Sequence, residues 1–357
     1  MESTMANTRI GLIGAGYWGP NLARNFAQME DAELVAIADL DEERLRSMKS
    51  RHPGVVTTRV YRDLFSLDLD AVVIATPPIT HYTFARECLE QGLNVLVEKP
   101  LVLRSRHGEK LVRLARDKNL VLMVGHTFEY NPAVRAIKEI IDSGELGQIY
   151  YLDAVRVNLG LFQPNINAMW DLAPHDVSII LYLLNQTPLS VSCEGGAFVL
   201  QKRGIHDIVY MHMKFPDGVL ANIRLSWLDP NKTRRITVVG SDKMLIYDDV
   251  EPSKKIRIFD KGVETFPYSD SYEFHCSYRY GDITIPHIEW VEPLQLECEH
   301  FVDCIKNDCI PQSDGESGVR VVRVLEAAEK SLKSGNGGQI PISQENFVRK
   351  VAAAVGG

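Results

Sequence analysis

Lys99, Asp171 and His175 are the residues of this chain whose types and surroundings could carry proton transfer. Asp171 and His175 stand four positions apart at the head of "WDLAPHDVSIILYLL", a segment that then turns strongly apolar. Polar groups beside a segment bound for burial cost free energy unless they are hydrogen-bonded or chemically useful. Histidine titrates near neutral pH, so His175 could accept a proton and return it without an extreme pKa shift. Asp171 could orient the ring and stabilise its charged form, as carboxylates do beside catalytic histidines. Asp171 also reads as a cap for the helix that follows, and Pro174, which lacks an N–H, fits the first turn of that helix. Asp176 reads as a partner behind them or as an acid that compensates the helix dipole. Lys99 lies in "VLVEKP", at the end of an apolar run, as a candidate proton donor or substrate clamp. Alone, His175 would read as a core or capping histidine; Asp171 and Lys99 together favour chemistry.

The elements that must position them begin at Arg9. "RIGLIG", "ELVAIAD", "DAVVIAT", "NVLVEKP" and "LVLMVG" read as strands, and residues 17–29, 41–50, 79–91 and 105–118 between them read as helices. Uniformly apolar strands alternating with helices predict a doubly wound parallel sheet covered on both faces.

The first strand runs into "GAGYWG", which places Gly14, Gly16 and Gly19 in G-x-G-x-x-G spacing, with Tyr17 and Trp18 in the same loop. Gly14 can take the tight turn, Gly16 admits a pyrophosphate to the backbone, and Gly19 lets helix and strand approach closely. Such a turn is common on its own, but the second strand ends at Asp39, where an acidic residue is expected to bind the ribose hydroxyls. Its carboxylate would repel a 2'-phosphate, and neither Leu40 nor Asp41 supplies a cation, so NAD is the expected cofactor. Without the glycines, Asp39 would read as a helix cap or a solvated turn. Thr76, Pro77 and Pro78 in "IATPPITH", with His81, and Glu98 beside Lys99 fall at later strand ends, where ligands of open α/β sheets bind. The bland reading of the prolines is a stop before the next helix.

Composition agrees with an ordinary globular chain: 357 residues, 45% hydrophobic and 24% charged. A net charge of -8 argues against a sequence-independent grip on nucleic acid, which needs a concentrated basic surface. No leader-like segment or membrane-length apolar run stands out, so a cytoplasmic protein is expected. Six cysteines without C-x-x-C spacing predict neither a disulfide framework nor a zinc site, and no metal is expected.

With "GAGYWG", "ATPP" and His81, "EKP" at 98–100 and Asp171-x-x-x-His175 in place, the chain resembles the glucose-fructose oxidoreductase, inositol dehydrogenase and MocA family over nearly its whole length. That resemblance implies a Rossmann NAD-binding domain over residues 1–127. A substrate-binding and oligomerisation domain over 128–357 would follow, α/β in class, with a large, open, mostly antiparallel sheet. It also implies a homodimer or homotetramer. In the inositol-type members the histidine and aspartate matching His175 and Asp171 serve proton transfer, and the lysine binds the same hydroxyl. The chain can be read the same way: "EYNPAVRAIKEIIDSGELG" is an amphipathic helix closed by glycine. A helix over 171–185 follows. Strands are then expected in "LSVSCEGGAFVL", "DIVYMHMKF", "GVLANIRLSWL", "RRITVVG" and "KMLIYDD". Two apolar helical stripes, through Leu294 to Ile305 and Val321 to Leu332, read as core.

Hydride removal from a carbinol carbon requires a base or relay at the hydroxyl proton. Lys99, Asp171 and His175 are the candidates, with the choice between Lys99 and His175 open. Candidate substrate residues are His126 and Tyr130 after the last Rossmann strand, Arg156 and Asn158 on the next strand, and Asn165 and Trp170 in "LGLFQPNINAMW". A plain surface loop is the alternative for the last. Lys232, Arg234 and Arg235 could meet a diphosphate, although a solvated strand end explains them too. The tail "EHFVDCI…PQSDGESGVRVVRVLEAAEKS" resembles that of sugar-nucleotide 3-dehydrogenases, which implies UDP-N-acetylglucosamine or its uronic acid as substrate. The rival readings are a cyclitol or free-sugar dehydrogenase and a non-catalytic NAD-binding sensor or repressor.

Overall fold

Strands with no polar alternation have two faces to bury, and a parallel sheet between two helix layers buries both. The computed structural model describes residues 7–265 and 276–343. In it, Thr8–Ile13 (β1), Ala32–Ala38 (β2), Val56–Thr58 (β3), Ala71–Ile74 (β4), Asn94–Glu98 (β5) and Leu122–Gly125 (β6) form one parallel sheet in the order β3-β2-β1-β4-β5-β6. Val72, Val73 and Ile74 of β4 and Val95 and Val97 of β5 have no exposed surface. Helices Gly19–Gln28 (α1), Glu42–Arg51 (α2), Pro78–Glu90 (α3) and Ser105–Asp117 (α4) make the crossovers. The strand order reverses between β1 and β4, which opens a crevice at the strands' carboxyl ends. The short β3 lacks an apolar run and was not in the sequence pattern.

The chain continues through Pro132–Asp142 (α5), Ile149–Val157 (β7) and Ala168–Leu184 (α6). Ser190–Gly196 (β8), Ile208–Lys214 (β9), Leu220–Ser226 (β10), Thr233–Gly240 (β11), Met244–Asp248 (β12), Ile256–Thr265 (β13) and Cys276–Thr284 (β14) follow. Helices Pro293–Lys306 (α7) and Gly315–Ser334 (α8) and the two-residue strand Ile340–Pro341 (β15) end the described chain. The second sheet runs β14-β13-β12-β11-β7-β10-β9-β8-β15, antiparallel except where β10 pairs with β7. Alternation sets its inner face: Leu152, Ala154 and Arg156 of β7 line up with Ala221, Ile223 and Leu225 of β10, and all are buried.

Helix α6 differs from expectation at its start. It begins at Ala168, because the Asn167 side chain, not Asp171, caps it by accepting from the Trp170 N–H at 3.0 Å. Asp171 therefore falls in the first turn and Pro174 lies inside the helix, a turn later than its sequence signature suggests. Pro174 removes one intrahelical donor there. Below it, Val177, Ile179 and Ile180 are fully buried, each worth roughly 1.5–3 kcal/mol.

Helices α7 and α8 pack back toward the first sheet. Leu294, Cys298, Phe301 and Val302 of α7 join the core formed by Ile10 and Phe26, with the rings of Phe26 and Phe301 edge to face. Arg24 of α1 grips Glu292, just ahead of α7, through two hydrogen bonds of 3.0 and 2.6 Å. Among the described residues, no helix is long and apolar enough to cross a membrane.

Candidate active site

The glycine loop leaves β1 with three distinct demands. Gly14 has φ +101°, and a side chain on it would meet the Ala75 carbonyl oxygen at 2.5 Å. One on Gly19 would run into the Gly14 carbonyl. Gly16 instead opens outward, with only the Arg44 guanidinium near, at 3.6 Å from a built Cβ. Gly14 and Gly19 thus hold the turn closed, and Gly16 keeps backbone accessible to a ligand. Tyr17 is 88% exposed and touches Trp18 edge to face beside this opening.

Asp39 ends the approach from β2. Its carboxylate accepts the Ala15 N–H at 2.6 Å and the Asp41 N–H at 2.8 Å, which tie it to the glycine loop. Arg44, in α2, brings its guanidinium within 3.9 Å of that carboxylate. The cation absent from Leu40 and Asp41 is supplied instead from one helical turn into α2.

Lys99 extends from the end of β5 and donates from Nζ to the Asp171 carbonyl oxygen at 3.0 Å, so the first sheet touches the first turn of α6. The Asp171 carboxylate accepts the Trp227 indole N–H at 3.0 Å. Among the described residues the expected Asp171–His175 hydrogen bond does not form; the carboxylate faces Trp227, just past β10. His175 Nδ1 is buried with no hydrogen-bond partner among the described residues, and its ring meets Phe128 edge to face at 5.0 Å. Burial holds the imidazole well below its usual range, and the positive charges of Lys99 and Arg156 add to that. Burial also lowers Lys99, against the opposing pull of Asp171 and Glu98. Burial pushes Glu98 up to about 7.

Behind the cluster, Arg156 and Asp176 form a buried two-pronged ion pair, at 2.6 Å through Nε and 3.1 Å through the second nitrogen. The Arg156 guanidinium also covers the Phe128 ring at 4.6 Å. Arg156 is thus paired with Asp176, and its charge reaches His175. Arg234 stands directly across from Arg156 in the β7–β11 pairing and contributes positive potential at His175.

The other expected residues divide. His126, at the end of β6, is buried with neither ring nitrogen bonded among the described residues, and burial beside Lys99 takes it down to about 3. Thr76 bonds Thr80 through their hydroxyls at 2.7 Å, and Pro77 caps α3. His81 does not reach the crevice: it is fully buried, with Nδ1 2.9 Å from the Pro100 carbonyl and Nε2 2.8 Å from the Thr76 carbonyl. It braces the ends of β4 and β5. Tyr130 likewise turns into the core, where its hydroxyl meets Ser313 Oγ at 2.9 Å. Asn158 is half-buried just beyond β7. Asn165 and Trp170 line a separate cavity of about 420 Å³ with Arg104 and His206, on a different face of α6 from Asp171 and His175. Space at Gly16, the carboxylate at Asp39 and unpartnered imidazole nitrogens around Lys99 fit a dinucleotide and a small polar substrate.

Two family models cover most of the described chain. Residues 8–126 match the GFO/IDH/MocA oxidoreductase family with its NAD-binding Rossmann fold, and residues 134–246 match the GFO/IDH/MocA C-terminal domain. The chain belongs to the GFO/IDH/MocA oxidoreductase family. Among its relatives, the UDP-N-acetylglucosamine 3-dehydrogenase of Acidithiobacillus ferrooxidans is 28% identical over 74% of this chain and 80% of its own. The myo-inositol 2-dehydrogenase of Thermotoga maritima is 26% identical over 91% and 96%. The solved structure of the Acidithiobacillus ferrooxidans enzyme superposes with a TM-score of 0.76 at 24% identity, covering 93% of this chain and 99% of that one. The family member in hand is thus an NAD-binding oxidoreductase.

Proposed function

We propose that this chain oxidises a secondary hydroxyl of a sugar with NAD, and that its substrate is a nucleotide sugar oxidised at carbon 3. The observation that carries the reading is Lys99, bonded to the Asp171 carbonyl at the first turn of α6, with its charge acting on the buried His175 in the same helix. NAD, when bound, supplies the hydride acceptor. Gly16, Asp39 and the loop around Tyr17 would hold it, in keeping with the open space at Gly16. Lys99 then holds the substrate oxygen, and His175, kept neutral by its surroundings, takes the hydroxyl proton. Asp171, tied to Trp227, and Asp176, tied to Arg156, fix the turn of α6 that carries His175.

Arg234 favours an anionic substrate over a plain cyclitol. Its cross-strand neighbour Arg156 is neutralised at 2.6 Å by Asp176, whereas Arg234 meets Asp249 only at 3.4 Å. Arg234 therefore has positive potential to offer a diphosphate or a uronate near His175. The relation to a UDP-N-acetylglucosamine 3-dehydrogenase supports the same choice. Tyr151, Tyr210 and Leu220, exposed on the outer face of the second sheet, support packing into a homo-oligomer.

The test is a screen of UDP-N-acetylglucosamine, its uronic acid, myo-inositol and free aldoses, read by the absorbance of reduced cofactor. Mass spectrometry of the purified protein would find any NAD(H) carried with it. The nucleotide sugars are expected to reduce NAD, and Arg234→Met is expected to raise their KM on the order of tenfold with little change in kcat. Turnover of myo-inositol or free aldoses alone would replace the nucleotide-sugar reading with the cyclitol one.

A further inference from the structure

Gly125, the last residue of β6, pairs with Glu98 of β5. A Cβ on Gly125 would lie 3.3 Å from the carboxyl carbon of Glu98 and 3.3 Å from Oε1 of Glu297. The two carboxyl groups therefore border one small space, which exists because residue 125 has no side chain. Both are buried; Glu297, on the inner side of α7, has no exposed surface at all. Among the described residues, the Thr127 hydroxyl is the group that reaches toward the Glu297 carboxyl, and neither oxygen meets a donor at full hydrogen-bond geometry. Glu98 accepts only the Lys99 backbone N–H, at 3.2 Å, among the bonds of the described residues.

Two ionised carboxylates in that space would repel with little water to screen them, so such a pair retains a proton. The groups facing it do not cancel a double charge. Lys99 is the cation beside Glu98, while Glu129, from the turn after β6, adds negative potential at Glu297, where the Thr127 hydroxyl opposes it. Cys298 is the thiol next in α7 and is itself held protonated by burial. Burial raises both carboxyls, and the Glu98 charge raises Glu297 further.

We propose that Glu98 and Glu297 hold one proton between them, Glu297 donating to the Glu98 carboxylate across Gly125, and that this bond positions Lys99. The role of Lys99 in it rests on the reading of the reaction given above. Glu297 touches no reacting atom. It is a positioning residue: a donor on one Glu98 oxygen fixes the plane of the carboxylate whose other oxygen takes the Lys99 N–H.

Infrared spectroscopy of the full chain, with 13C-labelled glutamate, tests the pair. A protonated-carboxyl band is expected at about pH 9, well above the pKa of about 7 to which burial brings Glu98 itself, retained in Glu98→Gln and lost in Glu297→Gln. No such band, or a band that survives Glu297→Gln, overturns the shared proton. Steady-state kinetics tests the positioning. Glu297→Gln, which still donates, should keep kcat within about threefold of the parent, while Glu297→Leu should lower kcat on the order of tenfold at nearly constant KM. Equal kcat in the two variants overturns the positioning role. The infrared measurement needs no substrate, so absence of sugar oxidation with the band intact counts against the proposed reaction and leaves the carboxyl pair standing.

Discussion

Lys99 and His175 compete to be the base, and the sign of their pKa shifts separates them. A base must be unprotonated to take the hydroxyl proton, so the acid limb of kcat/KM for oxidation tracks the residue that serves. His175 lies below its ordinary 6.5 because burial and the charges of Lys99 and Arg156 disfavour imidazolium. Lys99 is lowered from 10.5 mainly by burial, with Asp171 and Glu98 resisting. With His175 as base, activity should hold through neutrality and fall only as pH drops below 6.5. His175→Asn should then cost roughly 10²-fold or more in kcat with a smaller change in KM. An acid limb well above neutral that persists in His175→Asn assigns the base to Lys99 instead.

Helix α6 carries His175, and its stability depends on a pair that its own sequence half reveals. Asp176 is 2% exposed and survives there because Arg156 reaches it from β7. Arg156→Met would leave a buried carboxylate unpaired, at an expected cost of about 3–5 kcal/mol in denaturant unfolding. Adding Asp176→Asn should return part of that loss. A single variant as stable as the parent would mean that Asp176 is neutral or rehydrated in the fold. The apolar body of α6 and the strands of the first sheet were legible because an uninterrupted apolar run has few places to go. The start of α6 was not, since Asn167 sits in a polar loop and caps only through where its side chain points. Strands β13 and β14 were missed because "IRIFDKGVET" and "CSYRYGDIT" lie toward the exposed end of the sheet, where little burial is needed to form a strand. Within the site, the glycine loop, Asp39, Lys99 and His175 were readable from type and spacing. Trp227 and Glu297 were not, since Trp227 meets Asp171 from 56 residues further along the chain and Glu297 hides in an apolar stripe far from Glu98 in sequence.

At the scale of the whole molecule, the two sheets share one core, in which Val72 and Val95 of the first sheet and Val209 and Ile223 of the second pack together with Leu111 of α4 and Val321 and Leu325 of α8, while α7 covers the other face of the first sheet. Phe301 is fully buried against Phe26 of α1, and Arg24 clasps the residue that precedes α7. Cofactor binding at the first sheet should therefore stabilise the second as well. We expect one cooperative thermal transition, raised as a unit by NAD, with a gain near 2.7 kcal/mol at about a hundredfold excess over Kd. Phe301→Ala should cost about 3–5 kcal/mol and lower that single transition without splitting it. Asp39→Ala should leave the transition of the free protein nearly in place and abolish most of its shift with NAD. Two transitions, of which NAD moves only one, would show that this shared core does not couple the sheets, and the Lys99–Asp171 contact would then have to hold the active site together alone.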